Sequence, residues 1–91
     1  MKAIVWTDEA VEHLEAIAAY VSVYDPTAAA RLAERLIAVA DSLSEFAERG
    51  RDCGAGRREM TMVWPYVLRY RVEPTRVVIL RIRHGAQEEA P

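Results

Sequence analysis

Residues able to do chemistry are concentrated in the second half of this chain. Glu59 is a carboxylate that can accept a proton, Arg69, Arg81 and Arg83 are fixed cations, and His84 is an imidazole that can give one. Cleavage of an RNA phosphodiester asks for this set: a base for the 2′-hydroxyl, cations for the phosphorane charge, and an acid for the leaving oxygen. The same arginines, joined by Arg58, Arg71, Trp64 and Tyr66, also suit a surface that grips a macromolecule without turnover. His84 shares the register of Leu80 and Ile82, which aims its ring at the covered side of a strand or at a sheet edge. A lone histidine there is more often packed than catalytic. Binding is therefore the primary reading, with Glu59, Arg81, Arg83 and His84 as the alternative catalytic set.

Other chemistries lack their parts. His13 and Glu9 are four residues apart, but two ligands make no metal site. Cys53 is the single cysteine, so no internal disulfide forms and a reducing cytosol is expected. Gly54-Ala55-Gly56 lacks the lysine and following helix of a phosphate loop, and Ser42 and Ser44 lack a nucleophile elbow. No cofactor and no metal are expected. The four apolar residues Ala3 to Trp6 are too few for a signal-peptide core, and no stretch approaches a membrane span.

Composition places these residues on a globular frame. Of 91 residues, 52% are apolar and 29% charged, which excludes a disordered or fibrous chain. The net charge of −2 conceals a division: residues 1–48 carry nine acidic groups against three basic ones, and residues 49–85 carry nine arginines against three acidic groups. An acidic first half and a basic second half suit a partner with an oriented field. Overall acidity disfavours a reader of phosphate-dense nucleic acid, and no sequence-specific nucleic-acid binding by this chain alone is expected.

Periodicity supplies the elements. Ala3 to Trp6 reads as a strand buried on both faces, and Thr7 caps a helix whose apolar face runs Val11, Leu14, Ile17, Ala18, Val21 through about Tyr24. Asp25-Pro26 starts a second helix with the stripe Ala29, Leu32, Leu36, Val39, Leu43, Phe46 and with Gly50 as its C-cap. After the flexible loop Gly54-Ala55-Gly56 the pattern alternates, predicting strands over 58–63, 66–72 and 76–84. Alternation sets Met60 and Met62 against Glu59 and Thr61. It also sets Tyr66, Leu68, Tyr70 and Val72 against Val67, Arg69 and Arg71. The fold class is α+β in the order β-α-α-β-β-β: a helix hairpin on a small antiparallel sheet, with the first strand joining beside a later one. Residues 1–85 form one domain and 86–91 a flexible tail. The uncovered face then presents Arg69, Arg71, Arg81 and Arg83 outward.

That order, with Trp6-Thr7, Ala10, Leu14, Ile17, Tyr20, Pro26, Ala29-Ala30, Leu43, Gly50-Arg51, Arg58-Glu59, Pro65-Tyr66, Tyr70 and His84-Gly85, resembles the RelE/ParE toxin superfamily, and its ParE branch in particular. The chain departs from it at Phe46-Ala47, where the family often has proline, and at Gln87, where many relatives carry a basic residue. The resemblance implies a bacterial type II toxin held inactive in a hetero-oligomer by a cognate ParD-like antitoxin. It also implies a target: DNA gyrase for ParE-like members, messenger RNA in the ribosome for RelE-like ones. An inactive interaction module is the remaining reading.

Overall fold

The computed structural model describes residues 1–85; the expected tail, Gln87 included, lies outside them. The elements are β1 (Ala3–Trp6), α1 (Asp8–Ser22), α2 (Pro26–Ser42), β2 (Arg51–Gly54), β3 (Arg57–Val63), β4 (Tyr66–Val72) and β5 (Arg76–His84). All five strands form one sheet in the order β1-β5-β4-β3-β2. β1 runs parallel to β5 and the other neighbours are antiparallel. The helix hairpin on a meander is present, enlarged by a strand, β2, that the alternation does not signal. Gly54, Ala55 and Gly56 are the tight turn joining β2 to β3 rather than a loose loop, all three with positive φ.

Both helix starts follow their sequence signals. Thr7 Oγ1 accepts from Ala10 N and Asp25 Oδ1 from Ala28 N, each at 3.1 Å, satisfying donors the first turn leaves unpaired. The end of the second helix differs. α2 stops at Ser42 and turns follow, so Gly50 is not its cap. Ser42 Oγ donates to Val39 O at 2.6 Å, a local bond that competes with helix continuation. Leu43 and Ala47 stay buried after the helix ends, which explains why the apolar spacing outlasts it; Phe46 is exposed.

Gly50 has a different role. Tyr70, fully buried, donates its hydroxyl to Ala47 O and accepts from Gly50 N, both at 2.8 Å. A Cβ on Gly50 would lie 2.6 Å from that hydroxyl and 2.7 Å from Glu59 O. The glycine is needed for close approach of the turn to the sheet.

β1 is covered on one side only: Ala3 and Val5 are exposed, Ile4 and Trp6 half-buried, as befits an edge strand. Strict alternation along β5 would put Val77 and Ile79 on the arginine side. A bulge prevents this. Tyr70 pairs with Ile79 and Arg69 with Arg81, leaving Leu80 as the extra residue. Val77, Ile79 and Ile82 all enter the core with Ala10, Ala40, Leu43, Met60, Leu68 and Tyr70, while Arg81 and Arg83 keep the opposite face. The start of α1 satisfies the bulge. Thr7 Oγ1 meets Ile79 O at 2.9 Å and Leu80 O at 3.1 Å, and His13 Nδ1 accepts from Ile82 N at 3.2 Å.

Candidate interaction site

The register lays a row of charge across four strands on the face away from the helices. Arg51 lies opposite Glu59, Glu59 opposite Arg69, and Arg69 opposite Arg81. Like charges facing each other across strands repel, and Glu59 is the group that relieves them. Its Oε2 accepts from Arg69 Nη2 at 2.6 Å and Nε at 3.0 Å; its Oε1 accepts from Arg51 Nη2 at 2.9 Å and pairs with Arg83 Nη2 at 3.5 Å. The carboxylate is 6% exposed, Arg83 17%, Arg69 21% and Arg51 72%. Burial disfavours the ionised form of Glu59, but the Arg69 hydrogen bond and the charges of Arg69, Arg83 and Arg51 outweigh it and hold the carboxyl below its ordinary range. Beside the row, Val67 lies opposite Arg83 and Val78 opposite Arg71, both buried and outside the main core. Val67 thus flanks Arg83, and Val78 flanks Arg71, on that face.

The basic face is thus real, but not a display of outstretched guanidinium groups. Arg69 and Arg83 are drawn inward onto Glu59. Arg71 Nε donates to Glu73 Oε2 at 2.9 Å, and Arg76 pairs with the same carboxylate. Arg58 belongs elsewhere: it lies opposite Tyr70, on the helix side, and its Nη1 donates to Gly50 O at 2.8 Å. Arg81 is half-buried in the row beside Arg69. Trp64, in the turn between β3 and β4, is exposed, whereas Tyr66 is half-buried against the core. The ring of His84 meets Tyr66 edge-on, centroids 5.7 Å apart, beside a groove that His13, Ala16 and Ile17 of α1 also line.

Three of the four residues of the catalytic alternative, Arg81, Arg83 and His84, line one groove at the end of β5, and Arg83 Nη2 also reaches Glu59 Oε1 at 3.5 Å. Glu59, Arg81 and Arg83 share the outer face; His84 shares the side of Tyr66, Leu68 and Ile82. By strand alternation Glu59 and His84 lie on opposite faces of the sheet. Among the described residues no group of three or more histidine, cysteine, aspartate or glutamate side chains could hold a metal ion. No helix among the described residues is long and apolar enough to cross a membrane. Sequence reasoning missed Arg51 because β2 has no apolar alternation; the short Gly-containing turn at 54–56 before a strand was the available hairpin signal.

A helix hairpin across one face of a small mixed sheet is an arrangement with known members. A profile of the ParE toxin of type II toxin-antitoxin systems, parDE, matches residues 4–89. Toxin RelE2 of Caulobacter vibrioides is 48% identical over 87 residues, 96% of this chain and 99% of that one. Toxin RelE1 of the same bacterium is 43% identical over 67 residues, 70% of this chain and 72% of the other. Among solved structures, a chain of the chromosomal ParDE TA system from P. aeruginosa superposes with a TM-score of 0.78 at 28% identity, covering 92% of this chain and 96% of its own. The chain belongs to the ParE toxin family of the RelE/ParE superfamily, and is a type II toxin.

Proposed function

We propose that this toxin acts in the cytoplasm by binding, not turnover: it inhibits DNA gyrase, and a cognate ParD-like antitoxin neutralises it in a hetero-oligomer. The observation that supports a non-catalytic action is the division of Glu59 and His84 between opposite faces of the sheet. A carboxylate stabilised by three arginines is, moreover, a weak proton acceptor. Gyrase as the target rests on the likeness to the ParE branch, whose profile spans nearly the whole chain. The antitoxin rests on the same family and on the ParDE neighbour. An acidic, partly apolar antitoxin segment would meet Arg69, Arg71, Arg81 and Arg83 with charge-assisted hydrogen bonds, with Trp64 and Tyr66 as apolar anchors.

The names of the relatives RelE1 and RelE2 favour a second reading, ribosome-dependent cleavage of messenger RNA. Purified toxin in a gyrase supercoiling and cleavage assay, beside a translating-ribosome assay, separates the two. Trapped gyrase–DNA complexes with intact transcripts are expected. Cut transcripts that vanish on changing His84 or Arg83 would establish the second reading, and inactivity in both assays an inert interaction module.

A further inference from the structure

Three arginines converge on one buried carboxylate, and that carboxylate is the chain's own. Arg69 offers Nε and Nη2 to one oxygen of Glu59, while Arg51 and Arg83 approach the other. The arrangement already holds a carboxylate by charge-assisted hydrogen bonds to both of its oxygens, with buried Val67 opposite Arg83 beside it. Among the described residues its cations outnumber its anion by three to one. Its outermost member, Arg51, is 72% exposed on edge strand β2, so the cluster has an entrance.

We propose that this cluster is a carboxylate-receiving site which Glu59 keeps occupied, and that an acidic segment of the antitoxin docks by exchanging its own carboxylate for that of Glu59. The proposal rests on the binding role assigned above to the arginine face and adds its regulation. Exchange of one carboxylate for another keeps the ion pairs and asks only that the Glu59 side chain rotate away. The internal occupant therefore weakens every external one in inverse proportion to the fraction of time the site stands open. A carboxylate is favoured over a phosphodiester because the present occupant is a carboxylate held at hydrogen-bond distance. A net charge of −2 also makes this chain a poor host for a long polyanion.

The test uses the full chain, wild type and Glu59→Gln, titrated with a fluorescent decapeptide of alternating glutamate and leucine and, separately, with a decamer of uridylate RNA. The Glu59→Gln variant is expected to bind the peptide about tenfold or more tightly than wild type, and to gain less for the RNA. Equal or weaker peptide binding overturns the proposal, as does a larger gain for the RNA. Should the variant misfold, the wild-type chain answers alone: the Glu59 carboxyl carbon signal, read by NMR, moves to that of a solvated carboxylate when peptide saturates the site. A signal that stays put at saturation overturns the exchange. Reversal of Arg81 and Arg83 to glutamate keeps the two levels apart. If reversal weakens antitoxin binding while Glu59→Gln does not strengthen peptide binding, only the exchange falls. If reversal leaves antitoxin binding unchanged, the binding role of the face falls with it.

Discussion

At the residue scale, burial and its three arginines pull Glu59 in opposite directions, and the arginines prevail, so its pKa is depressed on folding. A depressed carboxylate contributes stability that is complete above its unfolded pKa and is lost as pH falls through its folded value. Urea unfolding through the acid range should therefore show a falling midpoint, and Glu59→Gln should flatten that part of the profile while lowering stability at neutral pH. An unaltered acid slope in the variant would show that other carboxylates carry it. Glu73 is also depressed, by hydrogen bonds from Arg76 and Arg71 that outweigh the opposing effect of burial, and it adds to the same acid loss. Tyr70 offers a second measurement. Tyr70→Phe leaves Gly50 N–H and Ala47 C=O without their buried partner and should cost about 1–3 kcal/mol. Gly50→Ala should cost a similar amount by pushing a methyl group into that hydroxyl. Because both changes strike one contact, the double variant should be less destabilised than their sum; strict additivity in urea melts would contradict the shared contact.

At the element scale, Thr7 joins a helix cap to a strand irregularity. Its hydroxyl caps α1 and also meets the carbonyls of Ile79 and Leu80 at the β5 bulge. Asp25 caps α2 alone. Asp25→Ala should therefore cost about 1 kcal/mol. Thr7→Ala should cost more, about 2 kcal/mol once the strand bonds are included, and Thr7→Ser should recover most of it. Equal losses at the two caps would show that the bulge contacts contribute nothing. The same bulge marks how far the sequence could be read. Helix stripes and strand alternation identify α1, α2, β3, β4 and β5, because each depends on residues near one another in the chain. Which residue of β5 is extra depends instead on Thr7 and His13, some seventy positions away. Alternation alone therefore places Val77 and Ile79 on the wrong side. β2 escaped notice for a related reason: Arg51-Asp52-Cys53 is ordered by pairing with β3 and not by any apolar pattern of its own. The arginines of the face were legible from spacing. Their convergence on Glu59 was not, since it arises from side chains on three different strands.

At the scale of the whole molecule, the two layers have opposite character. The helix layer carries most of the acidic residues of the first half, and the sheet's outer face carries Arg51, Arg57, Arg69, Arg71, Arg76, Arg81 and Arg83 against Glu59 and Glu73. Such a molecule presents an oriented field to an approaching antitoxin, so charge should govern how fast the two meet more than how long they stay. Reversing Arg81 to glutamate removes a cation from the row without removing Arg51, Arg69 or Arg83, the partners of Glu59. It should slow association roughly tenfold at low salt, with a smaller change in dissociation, and the difference from wild type should shrink as salt is raised past the screening range. Reversing Arg83 as well sets a new carboxylate beside Glu59, so the double variant should lose association rate and folding stability together. Surface plasmon resonance at two salt concentrations reads the first effect, and urea unfolding the second. A salt-independent loss confined to dissociation would mean that Arg81 serves a local contact, and that the division of charge between the layers does not steer the encounter.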